Sequence, residues 1–182
     1  MSDRTARMVI LCEDSQQYTF IYRLLKSLGF PRRRIRVERA QEGQGAADQY
    51  VRTHYPDEVA VYRRKSARMR FGLVTAVDAD TEPVRNRHRE LNDALERDDQ
   101  EPRQNEEKIC ILVPKRNIET WIYRLFGRED ITEEEVYSHL ENEGDCQPAV
   151  EQLLEYLRHG WPNDLIPSLK QGCRELENRL PE

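Results

Sequence analysis

"LVTAVDAD", residues 73–80, closes an apolar run with two aspartates one residue apart. The run starts at Phe71 and continues to Val77 without polar alternation. A strand of that kind is buried on both faces, and parallel strands covered by helices are the usual way to bury it. Two more runs share the pattern: "MVILC" at 8–12, which stops at Glu13-Asp14-Ser15, and "ICILV" at 109–113, which Pro114 ends. Helical segments separate the three. The fold class is therefore α/β, a mostly parallel central sheet flanked by helices in a Rossmann-like manner, with a C-terminal helical extension.

The intervening segments fit this plan. Phe20, Ile21, Leu24, Leu25 and Leu28 recur at helical spacing, with Ser15 predicted as N-cap and Gly29 at the C-terminal end. "RIRVER", 34–39, alternates like an edge strand with a basic outer side. Residues 43–69 read as helix, interrupted near Pro56. "TEPVRNRHRELNDALERDD", 81–99, reads as a helix capped by Thr81, with Glu82 and Pro83 in its first turn and Val84, Leu91 and Leu95 on its buried side. Residues 98–108 are a polar loop. "NIETWIYRLFG", 117–127, is a helix closed by Gly127. From Thr132 onward the chain reads as helical, including "TEEEVYSHLENEG", with breaks at Gly144, Pro148, "GWPND" and "IPS". This predicts an α/β domain over 1–127 and a helical extension over 128–182 packed on it.

Composition narrows the function classes. Of 182 residues, 35% are charged and 37% apolar, so a compact core carries a densely charged surface. The net charge of −5 argues against non-specific polyanion binding by the whole chain, while leaving room for a local basic face. "PRRRIRVER", 31–39, carries five Arg against one Glu, and "REDITEEEVYSHLENEGD", 128–145, carries eight acids against one Arg. Solvated surface is the common explanation of such runs. The functional one is a basic strip that meets phosphates while the acidic segment faces away. The four Cys show no CxxC spacing, and no apolar stretch reaches the length of a secretory signal or a membrane span. A cytoplasmic protein with reduced thiols and no membrane partner is expected.

In a parallel sheet the functional crevice lies outside the carboxyl ends of the strands. Glu13 and Asp14 follow the first run, Asp78 and Asp80 the second, and Lys115, Arg116 and Glu119 the third. Carboxylates crowded along one edge raise each other's pKa or need a cation between them. Mg²⁺ (or Mn²⁺) suits hard oxygen ligands and commonly binds through one or two carboxylates, keeping waters that a phosphate can replace. Asp80 serves equally well as a cap for the helix that starts near Glu82. Lys115 and Arg116 have two readings: ligands of a scissile phosphate, or partners of Glu119 and nearby acids.

These residues resemble the Toprim domain of topoisomerases, primases and the nucleases associated with overcoming-lysogenization-defect ATPases. "LCEDSQQYTFIYRLL" is similar to the Toprim opening with its conserved Glu, "VDAD" to its DxD, and "NIETWI" to a segment of small stand-alone Toprim-like proteins often encoded beside phage-defence ATPases. The closing "IPSLKQGCREL" also resembles those proteins. The likeness spans roughly residues 7–126. It implies Mg²⁺-dependent phosphodiester chemistry on nucleic acid, DNA or RNA, in phage defence or DNA metabolism. Glu13 would act as general acid/base or further metal ligand, Asp78, Asp80 and Glu119 would hold the metal, and Lys115 would assist catalysis. Asp14 stands where the family has Gly, and Gln17 where it has an acid. Those departures motivate an alternative: a non-catalytic Toprim-like binding or regulatory module that works with a partner ATPase. A phosphoacceptor receiver-like domain fits the strand-end acids superficially, but not the large helical insertion or Asp80.

Of the other candidates, Arg63, Arg64, Lys65, Arg68 and Arg70 suit either a nucleic-acid backbone or a solvated helix face. Trp121 falls on the apolar side of its helix with Ile118, Ile122 and Leu125, and reads as core. Trp161 is expected to pack the tail onto the domain. The four His have no ligand spacing and read as surface residues.

Overall fold

The structure, a computed structural model, describes residues 5–41 and 46–182. Four strands form one sheet: β1 (Arg7–Cys12), β2 (Ile35–Arg39), β3 (Phe71–Ala76) and β4 (Ile109–Leu112). All neighbours are parallel and the order is β2-β1-β3-β4. The connections are α1 (Ser15–Ser27), α2 (Ala47–Ser66) and α3 (Val84–Arg97), followed by α4 (Ile118–Leu125), α5 (Gln147–His159) and α6 (Pro167–Arg179). The apolar runs became the strands for the reason their composition gives: both faces are covered. Met8, Ile10 and Cys12 of β1 join Val74 and Ala76 of β3 in a core closed by α1, α4, α5 and α6. Val9, Leu11, Leu73 and Ile111 point the other way, into a core with Tyr55 and Val59 of α2 and Leu91 of α3. The predicted edge strand is β2, at one border of the sheet.

The strand order matters for function. The chain leaves β1 toward β2 on one side and returns to β3 on the other, so the direction of winding reverses between β1 and β3. In open α/β sheets the crevice outside the carboxyl ends at such a switch point is where ligands bind. The residues that leave those two strand ends are Glu13 and Asp78.

Several local expectations are corrected. α2 runs through Pro56 without interruption. Val51, Tyr55, Val59 and Tyr62 pack one stripe of it onto the sheet, and Gln100 Nε2 donates to the Pro56 carbonyl at 2.8 Å; burial outweighs the lost intrahelical bond. The predicted start of this helix at Gly43 lies outside the described residues. Thr81 does not cap α3; Pro83 holds the N-cap position and the helix begins at Val84. Asp14, not Ser15, caps α1. Pro148 is no break, since it sits in the first turn of α5, where a missing N–H costs nothing.

The largest correction concerns "TEEEVYSHLENEG". Residues 131–142 form no helix. Consecutive Glu133–Glu135 have no apolar face to bury, and Val136 is exposed. The backbone is instead satisfied by side chains, two from the α4 segment and one from the stretch itself. Asn117 Nδ2 donates to the Tyr137 carbonyl at 3.1 Å, the Tyr123 hydroxyl to the Ser138 carbonyl at 3.1 Å, and the Thr132 N–H to the Tyr137 hydroxyl at 2.8 Å. Glu133 Oε1 accepts the Ser168 N–H at 2.7 Å, in the first turn of α6.

Trp121 is core, as its spacing predicts: fully buried, with Nε1 donating to Ser168 Oγ at 2.8 Å. α6 crosses it at Gly172, where an added Cβ would stand 2.4 Å from the indole ring. Gly172→Ala is expected to lower stability by about 1–3 kcal/mol despite the better helix propensity of Ala, because the packed ring must move. Urea unfolding measures this; an unchanged or raised midpoint would mean α6 slides freely over Trp121. All four cysteines are free and buried. No helix among the described residues is long and apolar enough to cross a membrane.

Candidate functional site

The site is built where β1 and β3 end. Gln17, one turn into α1, is fully buried and its amide is fully used. Its Oε1 accepts the Glu13 N–H at 2.9 Å. Its Nε2 donates to Glu13 Oε2 at 3.1 Å and to Asp78 Oδ1 at 2.9 Å. The Asp78 N–H donates to the same Glu13 oxygen at 2.9 Å. One buried amide therefore bridges two carboxylates from adjacent strands. The other oxygens, Glu13 Oε1 and Asp78 Oδ2, take no hydrogen bond among the described residues and are not sealed from solvent.

The electrostatics follow from this crowding. Burial pushes the Glu13 carboxyl up to about 7, against the hydrogen bonds it accepts from Asp78 and Gln17 and with the help of the Asp14 and Asp80 charges. Asp78 is raised well above the ordinary carboxylate range by burial first, then by Glu13, Asp14 and Glu119. The two titrate as a pair. A pair in this state accepts either a shared proton or a cation.

The remaining predicted residues are near, but differently engaged. Asp80 has φ 52°, a left-handed turn that Asp tolerates, and its N–H bonds the Arg116 carbonyl at 3.2 Å. That turn carries its carboxylate outward to Arg87 at 3.3 Å, with the side chain 66% exposed. Glu119 is buried in the first turn of α4 and its Oε1 lies 2.6 Å from His139 Nδ1. Lys115 reaches back across the loop, donating to the Thr81 and Glu82 carbonyls. Arg116 donates to the Glu134 carbonyl at 2.6 Å. Neither cation partners Glu119. The structure thus joins Glu13 and Asp78 directly, holds Asp80 and Glu119 at the periphery, and ties Lys115 to backbone.

Among the described residues, no group of three or more His, Cys, Asp and Glu side chains has the arrangement to hold a metal ion. The wider ligand set expected from sequence is therefore not gathered around one point. The Glu13–Asp78 pair alone matches the one or two carboxylates that Mg²⁺ commonly takes from protein.

No protein-family model, curated protein or solved structure matches the chain.

Three contributors escaped the sequence reading. Gln17 stood out only as a departure from an acidic position, whereas its two N–H donors serve the two carboxylates. Arg87, buried on the same side of α3 as Leu91 and Leu95, donates from Nε to the Asp78 carbonyl at 3.0 Å and pairs with Asp80 and Glu90. His139 is a surface residue as expected, but the hydrogen bond and charge of Glu119 raise its pKa. No spacing signal links residues 119 and 139. His88 departs from the surface expectation, being partly buried and 3.0 Å from Gln171.

Asp14 is neither a free ligand nor a bare repulsive charge: its Oδ1 accepts the Gln17 N–H at 2.8 Å. Asp14→Ala is expected to cost about 1 kcal/mol as a lost N-cap. Thermal melts with and without Mg²⁺ check this. A lost Mg²⁺ response would place Asp14 among the metal ligands instead.

Proposed function

We propose that this chain is a Mg²⁺-dependent phosphodiester hydrolase of Toprim type acting on nucleic acid. The observation that carries the proposal is the Glu13–Asp78 pair: two carboxylates with raised pKa, bridged by one amide, at the switch point of a parallel sheet. Mg²⁺, when bound, supplies positive charge that offsets the pair and polarises a phosphoryl oxygen. Glu13 and Asp78 would hold it through the oxygens that Gln17 leaves open. Gln17 fixes both side chains in place, so little reorganisation is needed when charge develops. Where Asp78 alone carries the metal, the open Glu13 oxygen is placed to take the proton of the attacking water while the phosphorus–oxygen ester bond breaks. Asp80 and Glu119 add negative potential that favours a cation at the crevice.

Gln17 also favours a second reading. An amide between the carboxylates partly satisfies them with no cation present, as a non-catalytic module working with a partner ATPase would need. Two measurements separate the readings. Calorimetric titration with Mn²⁺ should show a site in the wild type that Asp78→Asn lacks, and the isolated chain should cleave plasmid, single-stranded DNA or RNA. A chain that binds metal, cuts nothing alone and copurifies with a stoichiometric ATPase would support the second reading.

A further inference from the structure

A nucleic-acid backbone approaching this crevice meets at least five carboxylates and needs a cation. The sequence offered Lys115 and Arg116 for that task, and the structure occupies both with carbonyl groups of the neighbouring loops. The arginine-rich strip 31–39 offers five more, but they are not equivalent. Arg32–Arg34 form a short 3-10 turn before β2 and so lie at the amino end of the sheet. The length of β2 separates them from the crevice by about 16 Å. Arg36 is consumed by Glu38 and Glu58.

Arg39 is different. It is the last residue of β2 and pairs in register with Cys12, the last residue of β1, directly before Glu13. The Ala40 N–H continues the ladder to the Cys12 carbonyl at 3.4 Å, so the two strand ends are tied together. Paired residues of parallel strands project to the same face. Arg39 accordingly lies on the α1 side, its guanidinium 5.9 Å from the centre of the Tyr18 ring. It is exposed, and no carboxylate lies within ion-pair distance among the described residues.

We infer that Arg39, steadied over Tyr18 at the carboxyl end of β2, binds a phosphate of the substrate strand beside the Glu13–Asp78 pair. This rests on the hydrolase proposal and deepens it: the strand crosses the sheet edge from the β2 side, over α1, rather than from the β4 side. Arginine suits the task, since its planar donors match a phosphate bidentately and its face stacks on an aromatic ring. Arg39 is a substrate-binding residue here, and the metal pair remains intact without it.

The test measures binding apart from cleavage. Full-length protein is titrated into fluorescently labelled single-stranded DNA and RNA of one sequence, with Ca²⁺ replacing Mg²⁺, at several salt concentrations. Arg39→Ala is expected to weaken binding about tenfold and to shallow the salt dependence by roughly one counterion. Arg39→Lys should restore the salt slope but only part of the affinity, and Arg33→Ala should leave both unchanged. If the wild type binds and Arg39→Ala binds equally with the same slope, Arg39 is wrong and the hydrolase reading stands. If the wild type binds neither nucleic acid, both fall together. Circular dichroism of each variant separates lost binding from lost fold.

Discussion

Glu13→Gln and Asp78→Asn are expected to raise the melting temperature of the metal-free protein at about pH 8 while abolishing its hydrolytic activity. The sign follows from linkage. Glu13 titrates near 7 when folded, against 4.5 for an ordinary glutamate. Between those values the folded protein holds a proton that the unfolded chain has released, so stability falls as pH rises through the window. Above about pH 7 the full cost of the buried charge is present, and Asp78 shifts in the same direction. An isosteric amide removes the charge and keeps an oxygen to accept from Gln17. The gain at pH 8 is on the order of 1–3 kcal/mol, roughly 3–8 °C in Tm for a chain of this size. At pH 4, below both values, the gain from Glu13→Gln should nearly vanish, because the carboxyl is then largely neutral in the folded and the unfolded chain alike. Saturating Mg²⁺ should raise the wild-type Tm at pH 8 and leave the variants unmoved. Scanning calorimetry at the two pH values, with and without Mg²⁺, reads all of this. Variants that melt lower than wild type at pH 8 would mean the two carboxylates are already well compensated as anions. Stability gained by removing a functional charge is the trade expected of a strained active site.

Glu175→Ala is expected to lower stability by about 3–5 kcal/mol. β4 is the second border of the sheet, and α6 runs beside it. From α6, Glu175 Oε2 accepts the Ile111 N–H at 2.9 Å, and both Glu175 oxygens receive Arg103, which also donates to the Ile109 carbonyl at 2.9 Å. Both side chains are largely buried. Together they close an edge that would otherwise present free backbone groups to another sheet. Removing Glu175 orphans one backbone donor and leaves the Arg103 charge uncompensated. Chemical denaturation measures the loss, and light scattering should detect aggregation through the opened edge. A cost below about 1 kcal/mol would show that water replaces Glu175 without penalty.

What could be read from sequence follows a physical divide. The strands were legible because unbroken apolar runs such as "ICILV" leave few alternatives, and their order of appearance with helices between them implied a parallel sheet. The carboxyl-end position of Glu13 and Asp78 then came with the fold. Side-chain geometry did not. Asp80 looks equivalent to Asp78 until a left-handed turn points it at Arg87. Asp14 and Ser15 both suit an N-cap, and only the turn decides between them. The stretch 131–142 reads as a helix with an acidic start, yet the Asn117 and Tyr123 side chains claim its carbonyls and the α6 backbone takes the Glu133 carboxylate. Nothing marked Glu175, and Gln17 stood out only as a departure from an acidic position, because what they hold lies 64 and 61 residues away.

The most direct test of the central claim is cleavage by purified protein of supercoiled plasmid, single-stranded DNA and single-stranded RNA in Mg²⁺, Mn²⁺ and EDTA, with Asp78→Asn alongside. The account expects metal-dependent cleavage of at least one substrate, absent in EDTA and reduced by three orders of magnitude or more, on the scale of a lost catalytic group, in a variant that remains folded. Cleavage that survives EDTA, or that Asp78→Asn retains in full, would contradict a metal site built on Glu13 and Asp78.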